Sequence, residues 1–137
     1  MKKVFLDTNI IVDLIADRRP FSKYAIELFI KAEEKKIKLF TSSHAIATTY
    51  YLLKKYLDEK SLRDVLFNLL EYLTVVPVDM DILRKSLRSK YKDFEDAIQI
   101  LCSSSVEKID GIVTRNIKDF KGCEIRVMTP EELCRAL

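Results

Sequence analysis

The sequence predicts an α/β protein: a three-layer α/β/α sandwich with a central parallel sheet of roughly five strands. Short apolar runs of strand length alternate with longer segments whose apolar residues recur at helical spacing. Such alternation is typical of a parallel sheet covered by helices on both faces. The length of 137 residues fits one domain over residues 1–137, and only 2 glycines and 3 prolines leave little room for a linker.

Five runs are predicted to be strands. The first is Lys3–Leu6, and the second is "KIKLFTSS". The third, "TVVPV", contains Pro77, which has no N–H for a ladder hydrogen bond, so we expect it at an edge of the sheet. The fourth and fifth are "DGIVTRN" and "EIRVMT".

Helices are predicted in the segments between and after these strands, most of them begun by a capping side chain. The capping candidates are Ser42 or Ser43, Asp79, Asp93 and Thr129. The helical segments are Ile10 to Ala16, the stretch from Phe21 onward, the face made by Ile46, Tyr50, Leu53 and Leu57, about Leu62 to Leu73, Asp79 toward Arg88, "KDFEDAIQILCSSSVEK" and "TPEELCRAL".

Composition restricts the classes of function. A net charge of +3 is compatible with nucleic-acid binding and does not require it. Three cysteines without a CxxC pair predict unpaired thiols in a reducing compartment, and a single histidine argues against zinc. Because Asp7 and Asp13 interrupt the apolar N-terminus and no apolar run reaches membrane-spanning length, we expect a cytoplasmic protein without a signal peptide.

Polar side chains follow the first and fourth predicted strands at their carboxyl ends. Asp7 ends the first strand and Asn9 lies two residues on. "TRNIKDF" follows the fourth strand and carries Thr114, Asn116 and Asp119. Ligands of parallel α/β sheets bind beyond this edge, so these side chains are candidate site residues.

A third acidic segment, "DFED", opens a helix and places Asp93 and Asp96 on one face. Each acid has a structural explanation by itself, as a helix cap or a loop residue. Their convergence from separate segments favours a divalent-metal site, because crowded carboxylates repel one another and a hard cation such as Mg²⁺ relieves the repulsion. Such an ion can activate water for attack on a phosphodiester.

Cations near the acids fit a phosphate-bearing substrate. Arg115 and Lys118 lie inside the "TRNIKDF" motif, and we expect them to contact substrate phosphate. Further basic residues precede "DFED", and for Arg84 to Arg88 a solvated helix face is the better explanation.

Together these segments resemble the PIN-domain family of metal-dependent ribonucleases, and within it the VapC-like, toxin-type branch. The resemblance is carried by "VFLDTNIIVDLI", "FTSSHAIATTYYLL", "DFEDAIQ" and "IVTRNIKDF". It implies RNA cleavage with Mg²⁺ or Mn²⁺ as cofactor. It also implies that Asp7, Asp96 and Asp119 hold the metal and that Asn116 and Thr114 share in catalysis.

The same resemblance implies supporting roles for Asn9 and Asp93. The partners it implies are RNA, an antitoxin protein and a second copy of the chain in a homodimer. It also implies that the chain is the toxin of a toxin–antitoxin pair.

Two positions depart from the family pattern. The glutamate usual after the second strand is replaced by Thr48, and the first late acid is Asn116. The alternative is therefore a degenerate PIN domain that binds RNA or protein without cleavage. A phospho-accepting receiver domain and a DxDxT phosphatase are disfavoured, because "DTN" after the first strand lacks the second acid that each requires.

Overall fold

Five strands and seven α-helices alternate along the chain in a computed structural model that describes residues 1–137. The strands are β1 (Lys2–Leu6), β2 (Ile37–Ser42), β3 (Leu73–Val76), β4 (Gly111–Val113) and β5 (Val127–Met128). The helices are α1 (Thr8–Ile15), α2 (Ser22–Glu33), α3 (Ser43–Leu53), α4 (Glu59–Leu69), α5 (Met80–Leu87), α6 (Phe94–Ser104) and α7 (Pro130–Ala136). A 3₁₀ helix spans Ile117–Phe120.

All strand pairs are parallel, and the strand order is β3-β2-β1-β4-β5. The predicted parallel sheet of five strands is therefore confirmed. The third strand lies at an edge, as predicted, and Pro77 follows directly after its last residue. Because β1 is the central strand, the residue after it lies at the middle of the carboxyl edge.

The sheet is buried on both faces, which confirms the three-layer sandwich. Val4 and Leu6 of β1 pack with Leu28 of α2 in one core cluster. Phe5 points to the opposite face and packs with Ile98 of α6 in another cluster. Strict alternation along β1 thus divides its side chains between two helical layers.

Helices α3 and α4 form a smaller cluster beside the sheet. Leu53 of α3 and Leu62 and Leu66 of α4 pack around Val12 of α1. This contact holds α3 next to α1. The N-terminal ends of both helices lie at the carboxyl edge of the sheet because α1 follows β1 and α3 follows β2.

Several element boundaries differ from those predicted, each for a local reason. Helix α1 begins at Thr8 rather than Ile10, because the Asp7 side chain caps it. The predicted helix from Leu62 to Leu73 runs instead over Glu59–Leu69, because Asp58 accepts a hydrogen bond from the Ser61 N–H. The 3₁₀ helix was not predicted at all.

Two further elements are shorter than expected. Helix α3 ends at Leu53 rather than reaching Leu57, and the fifth strand comprises only Val127 and Met128 of "EIRVMT". The caps predicted at Asp79, Asp93 and Thr129 are confirmed, and Ser42 is the cap of α3. None of the helices combines the length and the apolar character needed to cross a membrane.

Candidate active site

Asp7 is a buried carboxylate at the carboxyl edge of the sheet. The residue is only 8% exposed. One carboxylate oxygen, Oδ1, accepts hydrogen bonds from the Thr8 N–H at 2.8 Å and from Gln99 Nε2 at 3.2 Å. The other, Oδ2, accepts from the Thr114 hydroxyl at 2.8 Å. Donors from three segments therefore fix the position and orientation of this carboxylate.

Gln99 connects Asp7 to the end of β2. It lies in α6, is 2% exposed, and accepts a hydrogen bond from the Ser42 hydroxyl through its Oε1 atom. The Ser42 oxygen in turn accepts from the Ala45 N–H. This relay sets the amide orientation of Gln99, so that its NH₂ group points to Asp7. Sequence reasoning missed Gln99; the signal for it is one amide in the apolar stretch "AIQIL".

Asn9 and Thr114 form the other side of the network. The Asn9 Nδ2 atom lies 3.3 Å from the Thr114 hydroxyl oxygen and 3.5 Å from Asp7 Oδ2. Asn116 contributes its backbone N–H, which donates to Thr114 at 3.1 Å. The structure thus brings Asp7, Asn9, Thr114 and Asn116 together, and Asn116 keeps its exposed side chain free toward the cleft that it lines.

Asp96 lies in the first turn of α6 and is partly exposed. Its backbone N–H donates to Asp93 Oδ1 at 2.9 Å, so Asp93 holds the start of the helix. Partial burial and the neighbouring carboxylates of Asp93, Asp7 and Asp119 raise the pKa of Asp96 to about 7. This site therefore has an excess of negative charge.

Asp7 and Asp96 line the same cleft, which has a volume of about 210 Å³. Its walls come from α1, α3, α6 and the loop after β4. The lining residues are Asp7, Thr8, Asn9, Val12, Arg18, His44, Thr48, Leu52, Glu95, Asp96, Gln99 and Asn116. Ten of these twelve are polar, which suits an ionic ligand better than an apolar one.

Glu95 reaches the side of the cleft that Thr48 lines, the position at which the family resemblance implied a glutamate. Its Oε1 atom lies 3.2 Å from His44 Nε2, and the Thr48 hydroxyl lies 3.3 Å from the same nitrogen. A carboxylate from α6 therefore stands near the position at which α3 lacks one. Sequence reasoning gave no role to Glu95, because it is simply one acid among several in "DFED".

Asp119 and Lys118 lie in a neighbouring groove rather than in the cleft. This groove has a volume of about 420 Å³, and Asp96 lines both cavities. No three acidic, histidine or cysteine side chains are close enough together to form a ready set of metal ligands. The sequence led us to expect that Asp7, Asp96 and Asp119 share one site. In the structure, Asp119 instead lines the neighbouring groove, and the three carboxylates do not form one set of metal ligands.

The residues of the cleft fit a hydrated magnesium ion. Asp7 and Asp96 supply hard carboxylate oxygens, and Asn116 adds an amide oxygen. Mg²⁺ is commonly bound through one or two carboxylates and keeps several of its waters. The carboxylate repulsion at Asp96 would be relieved by such an ion.

Arg115 has a partner other than the one predicted. Its guanidinium makes a bidentate contact with Asp13, with Nη2 at 3.1 Å from Oδ1, and lies 4.1 Å from the centre of the Phe21 ring. Asp13 is 1% exposed and is approached also by Arg18 at 3.9 Å. Because the buried Asp13 carboxylate binds Nε and Nη2 of Arg115, these nitrogens are occupied within the fold. The geometry therefore favours a structural role for Arg115 over the phosphate role expected from sequence.

These features define the class of protein. The family model described as "PIN domain" matches residues 3–118, so the chain belongs to the PIN-domain family. Among its relatives is Ribonuclease VapC1 of Aquifex aeolicus (strain VF5), which is 33% identical over 142 residues; the alignment covers 97% of this chain and 94% of that protein.

Solved structures share the fold. A toxin–antitoxin complex from Klebsiella pneumoniae contains a chain with a TM-score of 0.66 and 29% identity, covering 93% of this chain and 97% of that one. VapBC2 from Rickettsia felis, bound to a DNA fragment from their promoter, gives a TM-score of 0.67 with 23% identity, over 93% and 98% of the two chains. The second likeness shows the fold alone.

The Arg115–Asp13 contact predicts a large stability effect. Arg115→Met leaves a buried carboxylate without its main partner, so we expect the free energy of unfolding to fall by about 3 kcal/mol in urea titrations. Arg135→Met is the matched control, because it removes an exposed pair with Glu131 and should cost less than about 1 kcal/mol. Equal losses in the two variants would contradict the structural role.

The raised pKa of Asp96 predicts a pH dependence of stability without metal. Between its ordinary value of 3.8 and about 7, the folded protein binds more protons at Asp96 than the unfolded chain, so this group destabilises the fold as pH rises. We expect Asp96→Asn to gain stability relative to the parent across that range, by about 1 kcal/mol at neutral pH, since solvent screens a partly exposed group.

Thermal unfolding of both proteins in EDTA between pH 4.5 and pH 7.5, about the span in which the group titrates, measures this difference. Asp64→Asn, on the exposed side of α4, is the control variant. A difference that stays constant with pH would show that the Asp96 carboxyl is not perturbed in this way.

Proposed function

We propose that the protein is a metal-dependent endoribonuclease that hydrolyses phosphodiester bonds of RNA and acts as the toxin of a toxin–antitoxin pair. One observation carries the proposal: in a PIN-domain chain, a buried and fully oriented Asp7 shares a polar cleft with Asp96. The 33% identity to a protein named as a ribonuclease over nearly the whole chain supports the same reaction.

Asp7 and Asp96 are the residues that would hold Mg²⁺, or Mn²⁺, in the cleft. When bound, the divalent ion supplies a polarised water and neutralises charge on the phosphate. Asp119 lines the adjoining groove and not the cleft, so it would assist in holding the ion from there, directly or through water. Because no three acids converge, we propose that solvent fills several positions around the ion.

The other residues position these acids and the substrate. Thr114, Gln99 and Asn9 orient the Asp7 carboxylate by hydrogen bonding. Asp93 holds the first turn of α6 and thereby Asp96. The exposed amide of Asn116 lines the cleft, where it would orient the attacking water or help to hold the ion. We expect exposed cations, Lys118 among them, to contact the RNA backbone.

We propose two protein partners. An antitoxin is supported by the 29% identity to a chain of a toxin–antitoxin complex over 93% of this sequence. A homodimer is supported by three exposed apolar side chains at or on α2, namely Phe21, Ile26 and Ile30. All three cysteines are free, which fits a cytoplasmic location.

The second candidate is a PIN domain that binds RNA or a protein without cleavage. Thr48 in place of an acid favours it, as does the absence of three converging ligands. Calorimetric titration with Mn²⁺ separates the candidates, because a catalytic site must bind the ion. No detectable heat at millimolar metal would favour the binding module.

We expect Asp7→Asn to lower Mg²⁺-dependent cleavage of a mixed RNA pool by ~100-fold or more, the scale of losing one preorganised electrostatic group. Asp64→Asn should cleave like the parent, and EDTA should stop the parent. Thermal melts establish that the variants fold. Cleavage by Asp7→Asn at the parental rate would refute the catalytic assignment.

A further inference from the structure

A groove rich in lysine adjoins the cleft on the far side of Asp96. It lies between the loop that joins α5 to α6 and the 3₁₀ helix after β4, and its volume is about 420 Å³. Its lining residues are Lys90, Tyr91, Lys92, Asp93, Asp96, Lys118, Asp119 and Lys121. Four of the eight are lysines, and two come from each wall.

The four lysines are exposed and have no ionic partner. None of their ammonium groups lies within 4.0 Å of a carboxylate oxygen, although three aspartates line the same groove. Elsewhere on the surface a lysine beside an acid does pair, as Lys85 does with Asp81 at 2.9 Å. The groove is therefore not a closed ion-pair network, and its cations are free to bind an external anion.

The cleft itself offers little positive charge to a substrate. Arg18 is its only lysine or arginine, and Asp7, Glu95 and Asp96 all line it. A phosphodiester in the cleft has neighbouring phosphates along the strand, and these need cations outside it. The groove adjoins the cleft at Asp96, which lines both, and it supplies four lysine side chains.

From this arrangement we propose that the groove binds the backbone of the single-stranded RNA segment next to the cleaved phosphate. The inference rests on the proposed function and deepens it by giving the substrate a path. The proposal commits to an unpaired strand lying between the two walls of the groove. Tyr91 also lines the groove, and the Lys90 ammonium lies over its ring, 5.7 Å from the ring centre.

The test measures RNA binding rather than cleavage. In an Asp7→Asn background with EDTA, fluorescence anisotropy of a labelled oligouridylate is recorded over a range of KCl concentrations. Each single-strand phosphate contact contributes about 0.7 to the slope of log affinity against log salt. Removing two lysines from one wall should therefore reduce the slope by about 1.4 if both contact phosphates.

Two variants test the two walls: Lys118→Ala with Lys121→Ala, and Lys90→Ala with Lys92→Ala. The matched control is Lys55→Ala with Lys60→Ala, which changes net charge equally at exposed positions outside the groove. We expect both groove variants to lose slope, and about tenfold in affinity at low salt, while the control keeps the slope of the background protein.

If either groove variant behaves like the control, the strand does not occupy both walls and the inference is wrong. Equal competition by an RNA duplex of the same length would overturn it as well. Because binding is measured without metal or turnover, these results are separate from the proposed activity. If the groove variants lose salt dependence of binding but the parent protein never cleaves RNA, the proposed nuclease activity is wrong and the proposed RNA path is still supported.

Discussion

The arrangement of the candidate site depends on fixing the orientation of one carboxylate at the centre of the carboxyl edge of the sheet. Asp7 follows the central strand β1, and its oxygens are satisfied by donors from α1, α6 and the loop after β4. A buried carboxylate without such donors would be costly. The hydrogen bonds therefore position Asp7 and also join three segments that are far apart in sequence.

The same constraint separates the remaining acids. Helix α6 presents Gln99 to Asp7 on its buried side, which leaves Asp96 one turn earlier, between the cleft and the lysine-lined groove. Asp119, in the 3₁₀ helix, lines the groove but not the cleft. In the proposed enzyme, the cleft would hold a hydrated cation and the groove would take the neighbouring phosphates of the strand. The Asp13–Arg115 contact holds α1 against the loop that carries Thr114.

Much of this could be predicted from the sequence, because strand and helix periods, caps and Pro77 are local signals. The positions of Asp7 and Thr114 at one edge follow from parallel-sheet topology. The side chain that each polar residue contacts could not be predicted from the sequence. Arg115 and Asp13 are 102 residues apart, and only the packing of the fold brings them together. Gln99 was missed for a related reason: an amide in an apolar run looks incidental until its two partners are known.

Diffraction from crystals grown with Mn²⁺, recorded at the manganese absorption edge, tests the central claim most directly. The account predicts an anomalous peak in the cleft, bonded to an oxygen of Asp7 and to Asp96 directly or through one water. A peak confined to other surface carboxylates, or none at millimolar Mn²⁺, would mean that the orientation of Asp7 serves the fold and not a metal ion.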